Sequence, residues 1–349
     1  MSGVRGSLGL ASVSHAVVLL IDGLGSAALE SHRGHARTLA SAVTKRSVIS
    51  SGFPSTTASS LPTLTTGSPS GQHGMVGYRV FDPERDRVVN ELSGWDAGMD
   101  PATWQPVPTV FEKARDAGVR AVAIGAPRYR DSKFTAAVLR GAEYVGARTL
   151  DERFSCAIDE LRGHGPALIY LYVPELDVAA HSHGMNSHAW VSALESLEGP
   201  VASLISALGP SQGLLVTADH GIVDVASAAQ VIVDPALLVG VRHVAGEPRC
   251  LQLQLEPGVN PDGVAERWRA SQGARAWVAT RSEAVTGGWF GEVDPAMLPR
   301  IGHVIVAARA DIAYYLDAND TGRRMVGQHG SLTAAESQVP LLRFGAFAD

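Results

Sequence analysis

Apolar residues in this chain are concentrated in short unbroken runs that end at acidic or turn residues. Four such runs cover residues 17–21, 119–124, 167–173 and 213–218. Runs of this length without alternation are typical of strands buried on both faces, as in a parallel sheet covered by helices. Helical patterns lie between them at residues 109–117 and 190–208, the second interrupted at Gly199-Pro200. We therefore predict an α/β fold with a mostly parallel central sheet and helices on both faces.

The pattern changes between residues 232 and 310. Residues 249–255 alternate between apolar and polar, which predicts a strand with one solvated face. A second strand is predicted at residues 302–307 and a helix at 261–271. We interpret residues 232–310 as an α+β subdomain inserted into a core that comprises residues 1–231 and 311–349.

Three of the buried runs lead to an acidic residue. Asp22 and Asp219 follow their runs directly, and Asp177 follows residues 167–173 after a three-residue gap. The ligand crevice of an open parallel sheet lies at the carboxyl ends of its strands, so the three acids are expected to converge there. Any one of them could instead cap the helix that follows. Together they predict a functional site at this edge of the sheet.

Histidines accompany two of these acids and recur near the end of the chain. Asp177 and His181 are four residues apart, so on a helical turn both side chains face one point, although they could equally form a surface pair. His220 follows Asp219, and His329 is either a further ligand or a plain loop residue. Carboxylate and imidazole together suit Zn²⁺, and carboxylates also admit Mn²⁺.

Residues 52–67 are rich in serine and threonine. The ordinary interpretation is an N-cap followed by a short helix. The functional interpretation places one hydroxyl at the start of that helix, where free backbone N–H groups and the helix dipole favour an anion. A nearby cation would lower the pKa of such a hydroxyl and make it a nucleophile. The two interpretations are compatible.

Composition narrows the class of partner. The 349 residues include 29 basic and 35 acidic side chains, with a formal net charge of −6 and only three lysines, so no basic tract offers a surface for nucleic acid or an anionic membrane. Two cysteines are too few for a cysteine-ligated metal site. No apolar run approaches the roughly 18 residues of a membrane span, and residues 16–21 lack a signal-cleavage pattern. We expect a cytoplasmic protein that acts on a small molecule.

The order of these motifs resembles the alkaline phosphatase superfamily, most closely its nucleotide pyrophosphatase/phosphodiesterase branch. The resemblance extends from about residue 16 to residue 345 and omits residues 232–310. It rests on five motifs in sequence order: Asp22, the threonine-rich helix start, Asp177-x-x-x-His181, Asp219-His220 and Gln328-His329-Gly330.

The resemblance implies a site with two zinc ions and a role for each residue. It implies that Asp177, His181 and His329 hold one ion, and that Asp22, Asp219, His220 and the Thr57 oxygen hold the other. The family's nucleophile lies ten residues before the glycine of a Thr-Gly pair, so Thr66-Gly67 indicates Thr57, with Thr56 as the alternative. Ser60 occupies the position at which the resemblance implies an asparagine that grips a phosphoryl oxygen, and it is the expected substrate-binding residue.

The predicted function is metal-dependent hydrolysis of phosphodiester or pyrophosphate bonds through a covalent phosphothreonine. The substrate is expected to be a small phosphate ester or nucleotide. Its leaving group would be selected by residues 75–96 and by the inserted subdomain, which carries the exposed-looking pair Trp289-Phe290. The alternatives are a phosphomonoesterase or phosphonate hydrolase on the same scaffold, or a metal-binding protein without turnover.

Overall fold

The structure is a computed structural model that describes residues 8–348. The strands are β1 His15–Ile21, β2 Val48–Ser50, β3 Arg79–Asp82, β4 Arg87–Asn90, β5 Arg120–Gly125, β6 Glu143–Gly146, β7 Ala167–Val173, β8 Gln212–Thr217, β9 Val223–Asp224, β10 Gln230–Ile232, β11 Val241–Glu247, β12 Cys250–Leu255, β13 Ala276–Thr280, β14 Val304–Ala308, β15 Ala313–Tyr315, β16 Gly327–Gln328 and β17 Gln338–Gly345. The α-helices are α1 Ser26–Ser31, α2 Arg37–Ser41, α3 Thr57–Thr66, α4 Ser70–His73, α5 Pro101–Trp104, α6 Val110–Asp116, α7 Lys133–Val138, α8 Leu150–Leu161, α9 Glu175–His183, α10 His188–Glu195, α11 Glu198–Ser206, α12 Pro261–Gln272, α13 Arg281–Thr286 and α14 Ala334–Ser337.

The central sheet contains all four strands predicted from the unbroken apolar runs. Its seven strands lie in the order β2-β17-β8-β1-β7-β5-β6. The pairs β8-β1, β1-β7, β7-β5 and β5-β6 are parallel, and β17 is antiparallel to both of its neighbours. The sheet is therefore mostly parallel, as the sequence predicts.

Helices cover both faces of this sheet because alternate residues of its strands point to opposite sides. On one face, Leu19 of β1 belongs to an apolar cluster with Phe154 of α8 and Trp190 of α10. On the other face, Leu20 packs in a second cluster with Phe111 of α6. Burial on both sides explains why these strands are continuously apolar in sequence.

A second sheet is formed by residues 241–308. It has four antiparallel strands in the order β11-β12-β14-β13, with α12 and α13 in the same stretch of chain. The chain enters this region after β9 and returns at β16, and these two short strands pair with each other. This pairing brings the residues that follow β16 back to the chain that follows β8. The division into a core and an inserted subdomain stays a prediction.

A buried ion pair ties the second sheet to the main body. The Arg249 guanidinium donates two hydrogen bonds of 2.7 Å to the Glu336 carboxylate, and both side chains are fully buried. Arg249 also donates to the carbonyl oxygens of Ala310 and Ile312 at 3.0 and 2.7 Å. The charges are thus paired and well hydrogen-bonded, as burial requires.

Three local predictions are wrong. All six residues of β12 are buried, so this strand has no solvated face; the Gln252 and Gln254 amides instead donate to the backbone carbonyls of Val76 and Ile301. Phe290 is 1% exposed and packs edge-on against Phe53, and Trp289 is half-buried against the same ring, so the two side chains do not form an exposed pair. The interruption predicted at Gly199-Pro200 lies earlier, between Glu195 and Glu198. Gly199 and Pro200 belong to the first turn of α11, where proline is tolerated.

The described helices are too short or too polar to cross a bilayer: within residues 8–348, none qualifies as a membrane span.

Candidate active site

Two of the predicted ligands lie side by side where β1 and β8 end. Leu20 is opposite Thr217 in the parallel register, so Asp22 and Asp219 occupy matching positions beyond the two strands. Both carboxylates are only 2% exposed. The Gly23 backbone N–H donates to Asp219 Oδ1 at 3.2 Å and fixes that side chain. The sheet register alone therefore brings these two acids together.

His220 joins them because the chain turns sharply after Asp219. Gly221 makes the turn possible: its backbone N–H donates to the Glu336 carbonyl at 2.7 Å, and a Cβ there would clash with the Ala335 carbonyl. His220 Nε2 lies 3.5 Å from Asp22 Oδ1 and 3.6 Å from Asp219 Oδ2. The ligand atoms of these three residues lie within 4.8 Å of one another.

The other predicted ligands come from α9 and from the loop after β16. Asp177 Oδ1 is 3.2 Å from His181 Nε2, as their four-residue spacing on a helix predicts. The His329 ring stacks on that of His220 with their centroids 3.6 Å apart. The ligand atoms that converge within 4.8 Å are those of Asp177, His329 and His220, with His181 beside Asp177. The family resemblance implies His220 as a ligand of one ion only, whereas in the structure it borders both groups.

Backbone carbonyls orient all three imidazoles. The Nδ1 atoms of His181, His220 and His329 contact the carbonyl oxygens of Gly327, Gly221 and Ser55 at 2.7, 3.1 and 3.1 Å. A carbonyl only accepts, so each Nδ1 carries the proton and each Nε2 presents a lone pair to the cluster. In metal sites, the ring nitrogen that does not bind the metal usually donates to a carbonyl or carboxylate in this way, and this hydrogen bond fixes the orientation of the imidazole.

The electrostatics of the cluster suit cations. Within residues 8–348, one buried oxygen of each of Asp22, Asp177 and Asp219 has no hydrogen-bond partner. Burial, followed by the charges of Asp219 and Asp177, raises the pKa of Asp22 well above its usual value. Burial, followed by the neighbouring imidazoles, lowers the pKa of His329 well below its usual value, so this ring is neutral. Lone pairs that face one another in a dry site fit divalent ions, which would offset their repulsion.

Thr57 is the hydroxyl that reaches this cluster. It is the first residue of α3, and its Oγ1 donates to His220 Nε2 at 3.1 Å. Thr56 is the residue before the helix and is 1% exposed. Of the two threonines, Thr57 is therefore the one whose hydroxyl contacts the cluster.

The family model for type I phosphodiesterases/nucleotide pyrophosphatases matches residues 16–332. The chain belongs to this family. The resemblance stated from the motifs is thereby confirmed, and the protein is a hydrolase that acts on phosphoester bonds. Comparison with curated proteins finds no significant match.

Solved structures of two kinds of enzyme are similar to this member of the phosphodiesterase family. One is phosphonoacetate hydrolase from Sinorhizobium meliloti 1021 with phosphonoacetate, at 19% identity and a TM-score of 0.74, covering 95% of this chain and 90% of that chain. Another is murine ectonucleotide pyrophosphatase/phosphodiesterase 5, an inactive threonine-to-alanine variant with AMP, at 18% identity and a TM-score of 0.73, covering 95% and 88%. The human form is 17% identical with a TM-score of 0.73, covering 97% and 90%. These similarities confirm the predicted fold class.

Two cavities meet at the site of this phosphodiesterase-family chain, and Thr57, Leu92 and Asp177 line both. The first has a volume of about 320 Å³ and is mainly apolar and aromatic; we call it the aromatic cavity, and its walls include Tyr129, Phe134, Tyr144, Tyr170 and Tyr172. The second, about 470 Å³, we call the polar cavity, and its walls include Tyr78, Arg79, Glu247, Asp320 and His329. A substrate bound at Thr57 therefore has room for two different substituents.

Ser60 and the remaining nearby histidines lie outside this arrangement. Ser60 is 4% exposed within α3, and it lines neither cavity. One helical turn beyond Thr57, its hydroxyl is buried and has no hydrogen-bond partner among residues 8–348, so its role as a substrate-binding residue stays a prediction. His183 and His188 are exposed and do not join the ligand groups.

Sequence reasoning missed two side chains at the site. The Tyr172 hydroxyl donates to Asp22 Oδ2, and burial raises the pKa of Tyr172 well above its usual value, which keeps it a neutral donor. Its position in β7, opposite Leu20, could have indicated this contact. Glu247 lines the polar cavity from β11, and no local pattern marks it.

Proposed function

We propose that this protein is a two-metal phosphodiesterase or nucleotide pyrophosphatase that works through a covalent Thr57 intermediate. The observation that carries the proposal is the position of Thr57 Oγ1, 3.1 Å from His220 Nε2 and on the shared wall of two cavities. A diester or pyrophosphate has a group on each side of the reacting phosphorus, and the two cavities offer a place for each.

Two groups of side chains would hold the ions. Asp22, Asp219 and His220 would hold one beside Thr57, and Asp177, His181 and His329 would hold the other, with His220 close to both. Three imidazole and carboxylate ligands with an open position match a catalytic zinc site, and Mn²⁺ is the alternative. When bound, the ions would supply positive charge for the Thr57 alkoxide, the phosphoryl oxygens and the leaving oxygen.

The chain's own residues account for the remaining steps. Thr57 Oγ1 attacks phosphorus, the bond to the leaving oxygen breaks, and a phosphothreonine ester forms. Water then attacks the same phosphorus and releases Thr57. Carbonyl contacts and Tyr172 keep the imidazoles and the Asp22 carboxylate in place during both displacements, which is the positioning that in-line transfer needs.

The inactive AMP-bound variant of the murine relative, in which a threonine is replaced by alanine, supports a threonine-dependent reaction. A phosphonate or phosphomonoester substrate is the second candidate, favoured by Arg79 in the wall of the polar cavity, since a guanidinium can bind an additional anionic group. Its support from a relative is the similar phosphonoacetate hydrolase structure.

Hydrolysis assays separate these candidates. Purified protein loaded with Zn²⁺ or Mn²⁺ should hydrolyse bis(p-nitrophenyl) phosphate with a higher kcat/KM than p-nitrophenyl phosphate or phosphonoacetate. Faster turnover of the monoester or the phosphonate would replace the proposal with the second candidate. An absence of turnover on all three substrates with either metal would contradict the proposal.

A further inference from the structure

Glu247 carries a buried oxygen without a hydrogen-bond partner in the part of the chain that the structure describes. The side chain is 3% exposed at the end of β11. Its Oε2 accepts the Tyr78 backbone N–H at 2.9 Å, whereas its Oε1 has no hydrogen-bond partner among the described residues. A buried polar atom without a partner destabilises the folded protein, so a partner for Glu247 Oε1 is to be sought outside the protein.

The backbone around the site leaves room for this carboxyl group. A Cβ on Gly330 would lie 2.7 Å from Glu247 Oε1, and the φ of Gly330 is +126°. Glycine therefore lets the carboxyl group approach the loop that carries His329. Glu247 also lines the polar cavity together with Thr57 and His329, so its carboxyl group borders the space in which a substrate group would lie.

The chemistry of the cavity wall selects the kind of group that fits. Burial raises the pKa of Glu247 to about 8, which favours the neutral acid at pH 7. A neutral carboxyl group both donates and accepts hydrogen bonds, and it offers no negative charge to a cation. Arg79 lines the same cavity and further disfavours a cationic substituent. A hydroxyl group, which also donates and accepts, is the matching partner.

We infer that Glu247 is a specificity-determining residue that hydrogen-bonds a hydroxyl of the substituent in the polar cavity, so that the enzyme prefers phosphate esters of polyols over those of simple alcohols. The inference rests on the proposed function, because it takes the reacting phosphorus to lie at Thr57. A substrate hydroxyl would provide the hydrogen-bond partner that Glu247 Oε1 lacks in the free protein as far as residues 8–348 show.

Calorimetry with two matched phosphates tests the inference independently of turnover. Glycerol phosphate and propyl phosphate share the phosphate group and the three-carbon chain, and they differ in the hydroxyls. We expect the metal-loaded wild-type protein to bind glycerol phosphate about tenfold more tightly, the effect of one well-placed hydrogen bond. Equal affinities for the two phosphates would overturn the inference.

Variants assign the preference to Glu247. In Glu247→Leu the ratio of affinities should fall to about one. In Glu247→Gln the amide oxygen takes the Tyr78 N–H and leaves only a donor for the ligand, so the ratio should fall about threefold. The second variant preserves the shape of the side chain, so it decides the question if Glu247→Leu does not fold. An unchanged ratio in Glu247→Gln would contradict the inference.

Glu91 provides a matched control. It is also fully buried, burial raises its pKa to about 8, and its Oε2 lacks a partner, but it lines neither cavity. Glu91→Gln should therefore keep the wild-type preference, and an equal loss there would show that the effect is structural. Hydrolysis of bis(p-nitrophenyl) phosphate is measured on the same samples. If wild-type protein shows the affinity ratio without turnover, the proposed function fails and the role of Glu247 as a binding residue stands.

Discussion

The carboxyl edge of the central sheet and the polar cavity beside the second sheet meet at Thr57, but they are specified by different kinds of contact. At the sheet edge, Asp22 and Asp219 follow strands whose parallel register places them together. In the polar cavity, Glu247 is held by the backbone of Tyr78, which is 169 residues away. The positions of the candidate metal ligands therefore follow from local sequence and sheet topology, whereas the wall of the polar cavity depends on contacts between residues distant in sequence.

The largest effect should come from removing the Thr57 hydroxyl. We expect Thr57→Ala to lower kcat by several orders of magnitude, on the order of 4 to 8 kcal/mol of activation free energy, because the covalent route is lost. Its metal content should persist, since Asp22, Asp219 and His220 remain. Steady-state kinetics and metal analysis check both expectations.

Thr56 is the control for that substitution. Thr56→Ala should be mild, because this residue precedes the helix and Thr57 Oγ1 is the atom that contacts His220. Thr57→Ser should retain part of the activity, since it keeps the oxygen and loses only the methyl group that restricts χ1. An inactive Thr56→Ala with an active Thr57→Ala would move the nucleophile by one residue.

Removal of the His329 imidazole should prevent one of the two metal ions from binding. We expect His329→Ala to bind about one metal ion fewer per chain and to lose on the order of 10³-fold in kcat, because a ligand of one cation is gone. Metal analysis and kinetics provide the measurement, and His183→Ala, at an exposed position of α9, is the control. Near-normal turnover with full metal content would mean that His329 is an ordinary loop residue.

Much of the sheet edge could be predicted from sequence for a physical reason. Unbroken apolar runs end where their strands end, so the positions of Asp22 and Asp219 at this edge follow from the sequence without knowledge of the strand order. The Asp177-His181 spacing has meaning only on a helix, and α9 supplies it. By contrast, burial of β12 depends on partners distant in sequence, including the Val76 carbonyl that Gln252 contacts. The same limit applies to Glu247, which no local pattern marks, and to Ser60, whose burial depends on how α3 packs.

The buried ion pair between Arg249 and Glu336, which connects the second sheet to the rest of the protein, should contribute to stability. Arg249→Met leaves the buried Glu336 carboxylate without its partner, and we expect the free energy of unfolding to fall by about 3 to 5 kcal/mol. Urea denaturation measures this change. Arg162→Met is the control, because its ion pair with Asp159 is exposed and worth less than about 1 kcal/mol. Similar losses of unfolding free energy in both variants would show that the buried Arg249–Glu336 pair contributes no more than an exposed ion pair.

A smaller effect should depend on pH. Burial raises the pKa of Glu91 to about 8 from the ordinary value of 4.5, so the folded state binds this proton more tightly than the unfolded chain. The stabilisation from this group is complete below the unfolded pKa and is lost as pH rises through the folded pKa. Glu91→Gln should remove this dependence, gaining on the order of 3 kcal/mol over wild type between about pH 5 and about pH 8.5. Parallel stability profiles by urea denaturation would contradict the assignment.

The most direct test of the central claim is to trap the covalent intermediate. Metal-loaded protein would be mixed with bis(p-nitrophenyl) phosphate, quenched in acid during turnover, digested and analysed by mass spectrometry. The account predicts one p-nitrophenyl-phosphoryl group on the peptide that begins α3, with fragmentation assigning it to Thr57, and no such adduct in Thr57→Ala. An adduct on Thr56 or another residue, or a Thr57→Ala variant that turns over at the wild-type rate, would contradict it.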